Sequence, residues 1–128
     1  MQVDLVSPER ILYSGEAEMV LARTSEGEIA FLTGHAPFIG SLGIGRVIIR
    51  PVEGADEIAA VHGGFVEVSN DRVTILSDVA ELASQIDLQR AQRALDEGER
   101  RTMEVDDAEA LARLARARLR VQVAGGTA

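Results

Sequence analysis

Residues 63–87 read GGFVEVSNDRVTILSDVAELASQID, and the change of period inside them decides the fold. Phe65 to Ser69 is short and rich in β-branched and aromatic residues, as is Arg72 to Leu76 running back. Between them Asn70 and Asp71 form a two-residue loop of types that tolerate positive φ, so the pair predicts a β-hairpin. Beyond Asp78 the β-branched residues thin out, and alanine, leucine, glutamate and glutamine replace them. By Asp87 the strand period has given way to a helical one.

Working back from the hairpin, the chain is a series of short alternating segments separated by turn residues. Gln2 to Ser7 alternates, with Val3 and Leu5 on one face, and stops at Pro8. Ile11 to Tyr13 is closed by Ser14 and Gly15. Glu16 to Arg23 follows, with Ala17, Met19 and Leu21 expected on one side and Glu18 and Val20 on the other. Glu26 and Gly27 make a turn, Glu28 to Leu32 has an apolar, buried-looking middle, and Thr33 to Pro37 is a loop. Gly43 to Gly45 reads as another turn. Arg46 to Val52 and Glu57 to His62 read as strands. The fold class expected is α+β, mainly β: an N-terminal β-sandwich of about ten short strands over residues 1–84, then two helices over residues 85–128.

The helical part is an antiparallel hairpin. Asp87 is a good N-cap, and Leu88, Ala91, Leu95 and Gly98 recur at spacings of three, four and three. Asp106 and Glu109 suggest a capping box for the second helix, whose expected apolar face is Ala108, Leu111, Ala112, Ala115 and Leu119. Gly125 and Gly126 end it. Its larger anchors are Leu88, Leu95, Leu111 and Leu119, each contributing about 1.5–3 kcal/mol if buried. Ordering costs about 1–2 kcal/mol per residue, partly offset by helical hydrogen bonds, so the hairpin is near balance unless it lies against something else. This is the expectation for a movable element.

The bulk numbers narrow the function. The 128 residues suit one ordinary domain, or a small domain with an appendage. Aromatics are only 3%, which leaves the core to aliphatic residues and alanine. A net charge of −8 argues against nucleic-acid binding. With no cysteine there is no thiolate chemistry, disulfide or cysteine metal site. No signal peptide or membrane-length apolar run is visible, so a soluble intracellular protein is expected. The charge is uneven: Asp96 to Glu109 holds seven acids and two arginines, whereas Arg113, Arg116, Arg118 and Arg120 follow Ala110 with no acid. Lysine is absent altogether, which reads as genomic base composition.

No phosphate loop, nucleophile elbow or paired-histidine zinc motif is present, and no metal site is expected. An enzyme built on unrecognised carboxylates is the alternative to a non-catalytic protein. His35, between Gly34 and Pro37, reads as a surface or capping histidine, or else as a contact residue at the tip of the sandwich. His62 reads as packing within a strand. Asp87 suffices as a plain cap, but a helix start carrying a carboxylate with Arg90 nearby can equally hold a nucleotide. The second-helix arginines are either a solvated face or a docking patch for an acidic partner.

Several segments occur in an order that resembles the epsilon subunit of the rotary ATP synthase, called delta in mitochondria. They are Ser7-Pro8-Glu9-Arg10, Tyr13-Ser14-Gly15, Glu26-Gly27-Glu28-Ile29, Gly34-His35-Ala36-Pro37, Gly63-Gly64-Phe65-Val66-Glu67-Val68, Val73-Thr74-Ile75-Leu76, Ala80-Glu81 and Ile86-Asp87. The resemblance spans nearly the whole chain. It implies a non-catalytic central-stalk subunit whose sandwich binds the gamma subunit and rests on the c-ring, with Glu28, Gly34, His35, Ala36 and Pro37 near the ring. It implies a hairpin that folds beside the sandwich or extends along gamma, bringing Arg113, Arg116, Arg118 and Arg120 towards acidic segments of the catalytic beta subunits and braking hydrolysis. It implies a peripheral place on the cytoplasmic face of a bacterial plasma membrane, with membrane contact only through the complex. No cofactor is required, but some bacterial members bind ATP as a regulatory ligand through Ile/Leu-Asp-x-x-Arg-Ala. Ile86, Asp87, Arg90 and Ala91 match that motif, with Glu81 in support. Where those members carry a further arginine late in the first helix, this chain has Asp96 and Glu97. The rival readings are a free nucleotide sensor and an unrelated sandwich module with a coiled tail.

Overall fold

The computed structural model describes residues 1–104 and 107–125. Its described residues form seven strands: β1 (Gln2–Val6), β2 (Ile11–Thr24), β3 (Gly27–Leu32), β4 (Phe38–Pro51), β5 (Glu57–Ser69), β6 (Arg72–Leu76) and β7 (Ala80–Leu82). A single 3-10 turn, Ala83–Gln85, leads to helices α1 (Leu88–Glu104) and α2 (Ala108–Ala124). The fold is mainly β with a C-terminal helical hairpin, as the sequence predicts.

The strands run in the order β1-β6-β5-β4-β2-β3, with β7 on β5 and a further pairing of β1 with β2. Strand β1 lies parallel to β6 and antiparallel to β2, so the sheet closes on itself into a sandwich. Its core is filled by Val3, Leu5, Val20, Phe31, Val47, Ile49, Val61, Val66, Val73 and Ile75, all essentially without exposure. Every buried member of that cluster lies between Met1 and Ile75, and its partly buried neighbours extend only to Leu82. The head therefore completes its core without the helices.

The strands are fewer and longer than expected. The strand end read at Ser14-Gly15, the turn read at Gly43–Gly45 and the gap between His62 and Phe65 all lie within continuous strands, β2, β4 and β5, which run for 14, 14 and 13 residues. Glycine permits a sharp bend without ending a ladder. Gly63 and Gly64 adopt φ of +88° and +126°. A Cβ on Gly64 would sit 2.1 Å from the Leu76 carbonyl oxygen, so that crossing requires glycine.

The face of β2 also differs from the alternating expectation. A register shift between Ala17 and Met19 moves Val20, Ala22 and Thr24 inward beside Ala17, leaving Met19 and Leu21 off the core. In β3 only Phe31 is fully buried, because this edge strand pairs with β2 alone. The Asn70–Asp71 hairpin is as predicted, with φ of 52° and 59° at its two residues.

In the helices, Asp87 caps α1 by accepting the Arg90 amide at 3.1 Å. Asp107 caps α2, accepting the Ala110 amide at 2.7 Å. The expected cap Asp106 lies outside the described residues, and with Asp107 as the cap Glu109 falls at the second helical position. Gly125 forms the C-cap, and Gly126 is also outside the described residues. The buried face of α2 is Ala110, Leu114, Ala117, Leu119 and Val123. Of the expected stripe, Leu119 is buried while Leu111 is half exposed. The phase differs because α2 serves two surfaces. Leu114 packs against α1 at Gly98, and Leu119 and Val123 pack on the sheet with Ala60, flanked by Ile44, Ile58, Ala83 and Ile86.

Replacing Gly64 with alanine combines a backbone clash with an unfavourable φ, and should cost at least about 3 kcal/mol of head stability. Urea denaturation followed on the β signal measures this; a loss below 1 kcal/mol would contradict the crossing described.

Candidate functional site

The head and the hairpin meet at a polar junction made from three elements. Glu81 stands on β7, His62 on β5 and Arg120 on α2. The Arg120 Nε donates to Glu81 Oε1 at 2.7 Å, and His62 Nε2 lies 3.3 Å from the same oxygen. An ionised carboxylate only accepts, so this contact needs the imidazole proton on Nε2. His62 Nδ1 is then a buried atom with no hydrogen-bond partner. Burial pushes the His62 pKa below the usual imidazole range, and the charges of Arg120 and Arg116 push the same way against an opposing pull from Glu81.

Beside this junction is a cavity of about 350 Å³ lined by Glu81, Gln85, Ile86, Asp87, Arg90, Ala91, Ala94 and Arg120. All five residues read as nucleotide-binding thus border one space. The start of α1 positions them: capping by Asp87 leaves its second carboxylate oxygen for other uses, and Arg90 follows three residues later on the same turn. Gln85 closes the rim, its Oε1 accepting from Arg10 at 3.1 Å and from the Leu82 amide at 3.1 Å. The volume falls within the range of small-molecule sites.

The four second-helix arginines do not share a face. Arg113, Arg116 and Arg120 line a groove of about 310 Å³ between the helices, with Arg101 of α1 and a single acid, Glu97. Arg113 also meets Glu109 at 3.3 Å. Arg118 points the other way, into a cleft between α2 and the sheet that it shares with Arg23, Glu28 and Arg46. The cationic end read from the sequence is therefore divided between two surfaces.

The residues assigned to the ring side are also separated. Glu28 is the second residue of β3, 3.7 Å from Arg46. The loop of Gly34, His35, Ala36 and Pro37 follows the other end of that strand, roughly 20 Å of extended chain away. There the Gly34 amide donates to Asp71 at 3.1 Å. The His35 ring meets Phe31 edge-on at 5.0 Å and Phe38 edge-on at 6.4 Å.

Two features escape a sequence reading. His62 is a junction residue as well as a packed one, and only the tertiary approach of α2 reveals it. The second is an exposed apolar row. Ile11, Val6, Leu76 and Phe65 are successive cross-strand neighbours on β2, β1, β6 and β5. Ile11, Leu76 and Phe65 are 66%, 53% and 60% exposed. The row borders a cleft of about 510 Å³ that includes Pro8, Gly63 and Gly64. The available signal was apolar residues on both faces of a strand, as in Phe65-Val66 and Ile75-Leu76.

Among the described residues no cluster of His, Asp or Glu could hold a metal ion, and no helix is long and apolar enough to cross a membrane.

Comparison with known proteins matches residues 1–83 to the family described as ATP synthase, Delta/Epsilon chain, beta-sandwich domain. The ATP synthase epsilon chain of Thermobifida fusca is 48% identical over 125 residues, covering 95% of this chain and 90% of that one. The epsilon chain of Brevibacillus brevis is 47% identical over 105 residues, covering 81% of this chain and 79% of its own. A chain in the mitochondrial ATP synthase of Euglena gracilis, in an assembly of OSCP, F1 and c-ring, shares the fold with a TM-score of 0.73 at 20% identity, covering 98% of this chain and 77% of that one. A chain from the central stalk and c-ring of the Tetrahymena thermophila enzyme does so at 0.63 and 16%, covering 99% and 95%. The closed sandwich, the helical hairpin and these matches have one reading: the chain belongs to the ATP synthase epsilon chain family.

Proposed function

We propose that the chain is a non-catalytic coupling and regulatory subunit of the rotor. Its sandwich binds the gamma subunit and rests on the c-ring, and its helical hairpin alternates between a docked and an extended posture. In the extended posture α2 approaches acidic segments of the catalytic beta subunits and blocks rotation in the hydrolysis direction. In this way the subunit couples proton translocation to ATP synthesis and restrains the reverse reaction, at the cytoplasmic face of the bacterial plasma membrane.

The observation that carries this reading is the separateness of the two cores. The head closes around residues no later than Leu82, while the hairpin adds a satellite cluster centred on Ala60, Leu119 and Val123. Full burial of Leu119 and Val123 contributes about 1.5–3 kcal/mol each, an amount that a competing surface can match. Detachment would also free Arg120, which the docked form ties to Glu81 at the junction.

For gamma, the exposed row of Ile11, Val6, Leu76 and Phe65 offers an apolar anchor on the side of the head away from the core. Such a row, beside a cleft and centred on an aromatic, has the character of an interface hot spot. The loop at His35 and the acid at Glu28 would then serve as two distinct contacts.

A second reading is supported by the cavity at the start of α1: the folded hairpin holds ATP through Glu81, Ile86, Asp87, Arg90 and Ala91. The arginine absent near Asp96 and Glu97 has neighbours that can substitute, because Arg101, Arg116 and Arg120 line the adjoining groove. ATP would then favour the docked posture by mass action.

Truncation after Leu82 should leave assembly intact and raise ATP hydrolysis by the assembled enzyme; unchanged hydrolysis would remove the brake from this account. Phe65→Asp should weaken gamma binding at least about tenfold in pull-down titrations while barely changing head stability, since the ring is exposed; wild-type affinity would place gamma elsewhere. Asparagine caps as well as aspartate, so Asp87→Asn should preserve the helix yet abolish calorimetric heat with ATP, as should Arg90→Ala. Heat that survives both changes would exclude this cavity.

A further inference from the structure

The junction of His62, Glu81 and Arg120 contains a buried ionisable ring whose two faces belong to different parts of the molecule. His62 itself is on the head, with its side chain 2% exposed and its backbone amide bonded to the Val79 carbonyl at 2.9 Å. Glu81, also on the head, is the acceptor that favours a proton on the ring. The charges facing it from the hairpin are Arg120 and Arg116, both on α2. The residue opposite on β4 is the uncharged Ile44, and Asp78 lines a cleft that His62 also borders.

In the docked form His62 Nε2–H and Arg120 already share a single oxygen, Glu81 Oε1, so a charged ring would sit beside the Arg120 guanidinium. Adding a proton to His62 would also turn Nδ1, already buried without a partner, into an unpaired N–H donor. The charge repulsion vanishes when α2 leaves, because Arg116 and Arg120 depart while Glu81 stays beside the ring.

We propose that His62, Glu81 and Arg120 form a pH-sensitive latch that holds the hairpin to the head above neutrality and releases it on acidification. The proposal rests on the mobile hairpin described above and adds the condition that moves it. The sign follows from linkage. Burial holds the His62 pKa below its ordinary 6.5, and docking adds the Arg120 and Arg116 charges that push it further down. The undocked form therefore takes up the proton first as pH falls. Docking is at full strength above the undocked pKa and weakens through it, about tenfold for each unit separating the two pKa values, levelling off below the docked one. Acidification of the compartment would thus favour the extended, braking posture.

The full chain has no cysteine, so Glu53→Cys and Met103→Cys accept a donor and acceptor dye pair reporting on the distance between head and hairpin. Energy transfer is followed through urea at pH 7.5 and pH 5.5, and the concentration at half-loss marks undocking. The labelled parent should undock at lower urea at pH 5.5, with a shift larger than that of a His62→Gln chain, which isolates the histidine from the other titrating acids. Equal shifts in the two chains would overturn the latch. Should His62→Gln fail to fold, Arg120→Gln decides: its change lies on α2, and its pH shift should shrink relative to the parent, whereas an undiminished shift would overturn the proposal. Acid-triggered undocking with unaltered hydrolysis by the assembled enzyme would instead overturn the brake and leave the latch standing.

Discussion

Closure of the sheet through β1 is the constraint on which the other features rest. Pairing with β6 on one edge and β2 on the other converts an open sheet into a ring. The strands are longer than one layer is wide, so β2, β4 and β5 must bend to take part in both layers. The price of the bend at β5 is a pair of glycines in left-handed backbone, one of them pressed against the Leu76 carbonyl. In return the ring encloses a continuous aliphatic core with no need of a helical cover.

That self-sufficiency sets the terms for the C-terminal helices. Apolar burial available to them lies outside the ring, on Ala60 and its neighbours, where only Leu119 and Val123 of α2 are buried. Between the helices the packing is similarly modest, with Gly98 admitting Leu114. Against so limited a cluster, polar terms are no longer minor. The contact from Arg120 to Glu81 is short and partly shielded, and the buried His62 makes its strength depend on protonation. A head that holds its shape, joined to a hairpin held by a few contacts, suits a subunit that must stay bound while one part of it moves.

How much of this was legible in the sequence depends on how local each feature is. The Asn70–Asp71 turn and the Asp87 cap are determined by neighbouring residues, and both were readable. Glycines at positions 15 and 63 signal a change of direction but not whether the ladder survives it, which is why β2 and β5 looked like four short strands. In β2 the irregularity after Ala17 reverses which side faces inward, and strict alternation cannot register it. The phase of α2 was misread because one helix faces two partners. Of the site, the residues around Asp87 were recognisable through the family resemblance and border a common cavity, whereas the division of the arginines and the role of His62 arise only when α2 meets the sheet.

The central claim is that the hairpin can leave while the head remains folded. Native-state hydrogen exchange of the full chain, followed amide by amide through low urea, addresses it directly. The account predicts that α1 and α2 exchange through an opening of lower free energy and smaller urea dependence than the one exposing β4 and β5. A single shared opening, with equal free energy and equal urea dependence in helices and strands, would contradict it.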